Sequence, residues 1–261
     1  MIRVAVLGAL GRMGDQVCRA VDATDDLELV AAIDAAATGA ESVCGLEVAS
    51  AIAEAAAAGA EVAVDFTHPD VVEANIDELV ESGIHVVVGT SGFDAARLAE
   101  LEDRLAAVGS PHVLVAPNMA IGGVLMMYFA EKAAPFFDRA EIIELHHDAK
   151  ADSPSGTAQN TAERMQTARE AAGGWPERGE STETVAGSRG GKVGDVRVHA
   201  VRLPGLVAHQ EVILGTQGQT LTIRHDSHDR TSFMPGVLLA VRGVVDRPGL
   251  TVGLEPLLGL V

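Results

Sequence analysis

The chain reads as an α/β protein: an N-terminal doubly wound parallel sheet, then a second α+β domain with a mostly antiparallel sheet. Three observations predict this. Short Val-rich runs alternate with helix-patterned runs from the first residue to about residue 118, and such alternation implies a parallel sheet covered on both faces. After residue 118 the order becomes an apolar helix, a strand, a second helix and then consecutive strands with hairpin spacing. A final helical run, "RTSFMPGVLLAVRGVV" (230–245), returns the chain to the first domain. The expected division is 1–118 with 227–261 for the first domain and 119–226 for the second.

Each element has its own signal. "IRVAVLG" (2–8) is short, Val-rich and closed by glycine, the pattern of a fully buried strand. "LELVAAID" (27–34), "EVAVDFT" (61–67), "IHVVVGT" (84–90) and "HVLVAPN" (112–118) repeat it. Helical spacing marks 69–82 and 94–108, and the Ala-rich "SAIAEAAAAGA" (50–60) fits the helix before the third strand. Further on, "IGGVLMMYFAEKAAPFF" (121–137) is a long apolar helix, "EIIELHH" (141–147) a strand, and another helix begins near Pro154. The Gly-rich, charged run 172–194 is expected to be a long mobile loop. "DVRVHAVRL" (195–203), "HQEVILGT" (209–216) and "QTLTIRHD" (219–226) follow as strands, with "GTQGQ" (215–219) as a hairpin turn.

Composition narrows the function classes. With 48% hydrophobic residues and only 3% aromatics, the core is built from Ala, Val, Leu and Ile. A formal charge of -18 argues against a nucleic-acid partner, which needs a surplus of Lys and Arg. Cys18 and Cys44 form no C-x-x-C, so neither a disulfide framework nor a zinc site is expected. "MIRVAVLGALGRMG" does not read as a signal peptide, because glycines interrupt its apolar run. The longest apolar stretch, "VLMMYFA" (124–130), is too short to span a bilayer. A soluble, cytoplasmic protein with no membrane partner is expected.

"GALGRMG" sets glycines at Gly8, Gly11 and Gly14, a variant of the Rossmann-like dinucleotide fingerprint. Glycine allows a tight turn and lets a pyrophosphate approach amides at a helix N-terminus. The loop follows a buried strand and opens a helix, which favours a dinucleotide over the alternative of a ligand-free strand–helix turn. Asp34 ends the next strand, where it could hold adenosine ribose hydroxyls. A carboxylate there repels a 2′-phosphate and Ala35 offers no cation, which favours NADH; Arg12 keeps NADPH as the alternative. "GTSG" (89–92) and "APNM" (116–119) end the fourth and fifth strands, at the carboxyl edge where such sheets bind ligands. Ordinary loop chemistry explains those residues equally well.

"ELHHDAKADSPSGTA" (144–158) gathers acid–base groups, a cation and a helix start. On a strand, His146 and His147 point to opposite faces unless the strand ends between them. Lys150 follows in a turn, and Ser155, Gly156 and Thr157 open a helix whose free N–H groups suit a carboxylate. Together they make an anion clamp beside an imidazole able to move a proton. Taken singly, such residues are more often a bonded histidine, a solvated lysine and a helix cap. Adjacent histidines lack metal-ligand spacing, so no metal is expected. "RHDSHDR" (224–230), with His225 and His228, is read as a hinge or as inter-domain hydrogen bonding.

"GRMG", "DFTHP", "GTSG", "APNMAIGG", "RHDSHDRTSFMPGVLLA" and above all "ELHHDAKADSPSGTA" closely resemble the dihydrodipicolinate reductase family. The resemblance runs from the first strand to about residue 245. It implies hydride transfer from NADH or NADPH to the ring of a cyclic dicarboxylate in lysine and diaminopimelate synthesis, with loss of a hydroxyl as water. It further implies that His146 is a proton donor or acceptor and Lys150 a proton donor. His147, Ser155, Gly156 and Thr157 then bind substrate. Gly8, Ala9, Leu10, Gly11, Arg12, Met13, Asp34, Gly89, Thr90, Ser91, Ala116, Pro117, Asn118 and Met119 match the cofactor site. Family members are usually homotetramers built through the second domain's sheet. Ala35, where some members carry arginine, and Met119, where many carry an aromatic, depart from the pattern. Competing readings are a lyase using Lys150 as a Schiff-base nucleophile, a non-catalytic NAD(H)-sensing or assembly protein, and another NAD(P)-dependent dehydrogenase without this substrate.

Overall fold

The computed structural model describes residues 1–177, 179 and 182–260. It falls into two units, residues 1–121 with 233–261 and residues 122–232. Both borders lie a few residues after the expected ones at 118/119 and 226/227.

The first unit is built on β1 (Ile2–Leu7), α1 (Arg12–Asp22), β2 (Leu27–Ile33), β3 (Ser42–Val43), β4 (Leu46–Ala49), α2 (Ala53–Ala57), β5 (Val62–Asp65), α3 (Val72–Glu81), β6 (His85–Val88), α4 (Ala95–Val108) and β7 (Val113–Val115). Its sheet runs β13-β7-β6-β5-β1-β2-β4-β3, where β13 is Leu250–Val252. All pairings are parallel except β3 with β4. The chain winds outward from β1 through β2, then restarts on β1's other side with β5. That reversal opens a crevice at the carboxyl ends of β1 and β5.

Sequence causes are visible in each layer. Val4, Ala5, Val6, Val62, Ala63, Val64, Val86, Val87 and Val88 are fully buried, as continuous apolar strands covered on both faces must be. On α1, Gly14, Val17, Cys18 and Val21 are buried at helical spacing. Asp94 caps α4 by accepting from the Arg97 amide at 2.9 Å, and Gly109 ends it at φ 78. Three short strands were not legible in the periodicity. β3 (SV), β4 (LEVA) and β13 (LTV) lack the continuous Val-rich apolar run that marks the equally short β6 (HVVV) and β7 (VLV).

The second unit contains α5 (Ile121–Ala133, which begins at the border), a 3₁₀ turn (Ala134–Phe136), β8 (Arg139–His146), α6 (Gly156–Ala171), β9 (Gly191–Val193), β10 (Val196–Arg202), β11 (Ala208–Thr216) and β12 (Gln219–Ser227). The sheet order is β12-β11-β8-β10-β9. It is antiparallel apart from β8 with β10. One face carries Ile142, Val198, Val212 and Leu214, which are buried with Ala158, Ala162 and Met165 of α6. Thr216 pairs with Gln219 across the two-residue turn at Gln217–Gly218, as the "GTQGQ" signal requires. The expected helix over 121–137 breaks into α5 and the 3₁₀ turn at Pro135, whose ring cannot continue a helix. The expected mobile loop 172–194 is corrected at its end, where Gly191–Val193 pairs with β10; of that loop, residues 178, 180 and 181 lie outside the described residues. α7 (Met234–Val244) returns to the first unit after a 3₁₀ turn at Arg230–Phe233. Among the described residues no helix is long and apolar enough to cross a membrane.

Candidate active site

In the first unit the glycine loop is a close-packed turn. The Gly8 and Ala9 amides both donate to the Ile33 carbonyl, at 2.8 and 3.0 Å. Gly8 has φ 78, and a Cβ there would stand 2.7 Å from the Phe66 carbonyl oxygen. A Cβ on Gly14 would meet the Gly8 oxygen at 2.0 Å, so α1 approaches β1 only without a side chain. Asp34 Oδ2 accepts from the Leu10 amide at 3.1 Å and Oδ1 from the Ala36 amide at 3.0 Å. The amides of Arg12 and Met13 open α1, where no intrahelical partner exists. Gly8, Gly11, Asp34, Phe66 and His68 are among the residues that line a cleft of about 420 Å³ here. A backbone cradle without side chains, open amides at a helix N-terminus and a carboxylate at the rim fit a nicotinamide dinucleotide.

The two other strand ends are held by different means. Gly89 packs against the Phe66 ring, which a Cβ would strike at 2.2 Å. Thr90 Oγ1 donates to Asp65 Oδ1 at 3.0 Å, whereas Ser91 is exposed. Asp65, fully buried, also accepts from the Thr67 amide and hydroxyl and from Asn75 Nδ2, at 2.8, 2.7 and 2.8 Å. The Ala116 amide donates to Val88 O at 3.0 Å, and Asn118 Oδ1 accepts from the Ala120 amide at 2.9 Å. Pro117 is exposed and Met119 buried. Gly236 of α7 presses on that segment: a Cβ would lie 2.0 Å from Met119 O. Sequence reading missed Asp65, whose signal was the lone carboxylate in an otherwise apolar strand.

In the second unit β8 ends at His146, so the strand does end between the two histidines. Glu144 and His146 therefore share a face, and His146 Nδ1 lies 2.6 Å from Glu144 Oε2. Burial pushes the His146 imidazole below its ordinary value, against the pull of Glu144. His147 is exposed in the turn, its carbonyl accepting from the Lys150 amide at 3.2 Å. Lys150 Nζ pairs with Asp152 Oδ1 at 2.7 Å.

One expectation needs correction here. Ser155 has no free N–H: its amide donates to Glu144 Oε1 at 3.1 Å, and its hydroxyl caps α6 by accepting from the Ala158 amide at 3.3 Å. The open amides of the first turn belong to Gly156 and Thr157. A Cβ on Gly156 would meet nothing within 4 Å, so a ligand can approach that backbone closely. Glu144 and Arg202 were missed. Glu144 stood in the quoted stretch but reads as an ordinary strand residue, and Arg202 lies 58 residues away, where no local pattern links the two.

The rival histidines sit in the second unit as well. His209 Nδ1 bonds Asp226 Oδ1 at 2.7 Å, and Arg224 Nε donates to Asp226 Oδ2 at 2.9 Å. Arg224, with His209 in support, holds the Asp226 carboxyl down at about 2. His228 packs edge-on against His209 at 5.9 Å between centroids, and His225 fills the space beside Gly122. This is a bonded cluster within one unit.

A backbone cradle that fits a dinucleotide in one unit, with a helix start of open amides and an imidazole in the other, has the features of a nicotinamide-dependent oxidoreductase. The chain belongs to the dihydrodipicolinate reductase family. The family model for the N-terminus of dihydrodipicolinate reductase matches residues 2–119, and that for its C-terminus matches residues 122–258. A 4-hydroxy-tetrahydrodipicolinate reductase from Nocardia farcinica is 57% identical over 99% of both chains. One from Mycobacterium marinum is 54% identical over 99% of this chain and 100% of its own length. A dipicolinate-bound dihydrodipicolinate reductase from Paenisporosarcina sp. TG-14 superposes with a TM-score of 0.86 at 36% identity, covering 98% of this chain and 99% of that one.

Proposed function

We propose that the chain is a 4-hydroxy-tetrahydrodipicolinate reductase of lysine and diaminopimelate synthesis. The observation that carries this is one short segment, 144–157, in which Glu144 bonds both the half-buried imidazole of His146 and the Ser155 amide, next to the open amides of Gly156 and Thr157. A cyclic dicarboxylate fits that arrangement: the amides and Lys150 bind carboxylate, and the imidazole handles a proton. His146 is the proton donor or acceptor, Lys150 the second donor, and His147 a further carboxylate contact. Ser155 shapes the helix start through its amide and as acceptor from Ala158, and its hydroxyl keeps an O–H to donate to a substrate carboxylate.

The bound nicotinamide supplies the hydride. Gly8 to Met13 turn the backbone around its pyrophosphate, Asp34 accepts from the ribose, and 89–91 and 116–119 line the remaining contact. The surroundings of Asp34 support NADH over NADPH. Glu47 and Glu54 line the neighbouring cleft with Thr38 and Ser50, so a 2′-phosphate would face several carboxylates, with Arg12 as the nearby cation in the glycine loop. The family resemblance and the absence of a long apolar helix among the described residues support a cytoplasmic enzyme.

The test is oxidation of NADH and of NADPH, in separate reactions, with substrate generated in place from pyruvate and aspartate semialdehyde by the preceding synthase. Turnover is expected with both and a higher kcat/KM with NADH. His146→Ala and Lys150→Ala should each lower kcat by about 10²-fold or more, with NADH binding by fluorescence nearly unchanged. No turnover by protein that binds NADH would favour the sensor reading.

A further inference from the structure

Glu144 is the only fully buried charged residue of the second unit among those described, and three N–H donors and one imidazole nitrogen converge on it. Arg202 Nη1 reaches Oε2 and Nη2 reaches Oε1, both at 2.7 Å, as a two-pronged fork. Oε1 also accepts from the Ser155 amide at 3.1 Å, and Oε2 lies 2.6 Å from His146 Nδ1. A carboxylate has about four lone-pair sites, so its accepting capacity is full. Burial alone would raise this carboxyl, but Arg202, His146 and the Ser155 amide outweigh it and hold it below the usual glutamate range. Glu144 is therefore ionised and can only accept. The atom facing it on His146 must carry the proton.

From this geometry we infer that Glu144 is a positioning residue for the reaction: it fixes His146 as the Nδ1–H tautomer, with the Nε2 lone pair turned to the ligand side, and ties that imidazole to the first turn of α6. This goes beyond orientation of one ring. A single carboxylate bonds the acid–base group from β8 and the amide that starts the anion-binding helix, so the proton and the carboxylate site keep one register. Arg202 serves the same purpose and is not free to grip substrate. Its Nη1 also donates to Val201 O and its Nη2 to Asp152 O, both at 2.8 Å, leaving only Nε without a partner. The Nε2 end of His146 then accepts a proton when neutral and donates it when charged, as a general base and acid must.

The role of His146 in turnover rests on the proposed reductase activity; the tautomer does not. The experiment is ¹⁵N NMR of the histidine side chains in the full chain, with His146→Gln to assign the resonances. The wild type is expected to show a protonated, pyrrole-type Nδ1 and a pyridine-type Nε2 at neutral pH. Glu144→Gln, whose amide can donate to Nδ1, is expected to switch the tautomer. It should also lower kcat by about 10²-fold while KM changes less than about threefold. Because Glu144→Gln strands the Arg202 charge and can cost stability for that reason alone, the double variant Glu144→Gln/Arg202→Gln is measured beside it. Recovered thermal stability with the tautomer still switched and kcat still low supports the inference. Recovery of kcat together with stability would reduce Glu144 to a structural ion pair, and an Nε2–H tautomer in the wild type would overturn the assignment outright. A wild type with Nδ1–H that never oxidises NADH with the substrate would instead sink the reductase reading.

Discussion

Single residues in this chain are set by what surrounds them more than by what they are. Cys18 is fully buried on α1 and burial pushes its thiol up to about 12, whereas Cys44 is partly exposed. Since the thiolate is the reactive form, iodoacetamide at neutral pH should modify Cys44 well before Cys18; equal labelling in a peptide map would contradict this burial. Cys44 is also the only non-glycine residue with positive φ among those described, at 50, and Gly45 follows at φ 80 in the two-residue turn between β3 and β4. That shape prefers Asn-Gly. Cys44→Asn should raise unfolding stability by about 0.5–1 kcal/mol, measured by urea denaturation. Glu144 gives a pH prediction. Its folded pKa lies below the unfolded value near 4.5, so its stabilising contribution is present above that pH and lost as pH falls through the folded value. The acid limb of unfolding free energy against pH should be shallower in Glu144→Gln/Arg202→Gln than in wild type.

At the scale of elements, close approaches decide what loops can do. α7 meets the segment 116–119 where Gly236 would otherwise place a Cβ 2.0 Å from Met119 O. Gly236→Ala should therefore push that segment, cost about 1–3 kcal/mol of stability and weaken NADH binding, with histidine spectra of the second unit unchanged. Unaltered NADH affinity would remove α7 from any part in seating the segment 116–119 that we propose meets the cofactor. The β1–α1 turn is as strict, because a Cβ at Gly14 would likewise meet backbone, the Gly8 oxygen at 2.0 Å. Most long elements were legible in the sequence because their apolar spacing follows burial directly, as on α1 and α3. The site was legible in part. His146, Lys150, Gly156 and Thr157 fall in one short run, while Arg202 and Asp65 act through bonds to residues far off in sequence.

For the molecule as a whole, the free face of the second sheet is the feature with most consequence. Ile143, Leu145, Val201 and Ile213 lie on the face opposite α6 and are only half-buried in one chain. The family resemblance implies assembly through this sheet, and we propose that these side chains are covered in a homotetramer. Light scattering should give four times the 27.0 kDa chain mass, and Ile213→Asp should give a smaller species with unchanged circular dichroism. A monomeric wild type would refute the assembly.

Sequence by itself determined the alternation of strands and helices, the glycine turn, and the short run that holds imidazole, lysine and helix start. These are local properties, written in side-chain period, turn chemistry and spacing. Tertiary structure alone decided that Glu144 is buried, that Arg202 of β10 forks onto it, and that Ser155 contributes its amide to the protein instead of a ligand. The reason is physical: a buried carboxylate must find donors, and the sheet brings those donors together from strands that are neighbours in space only after the chain has folded.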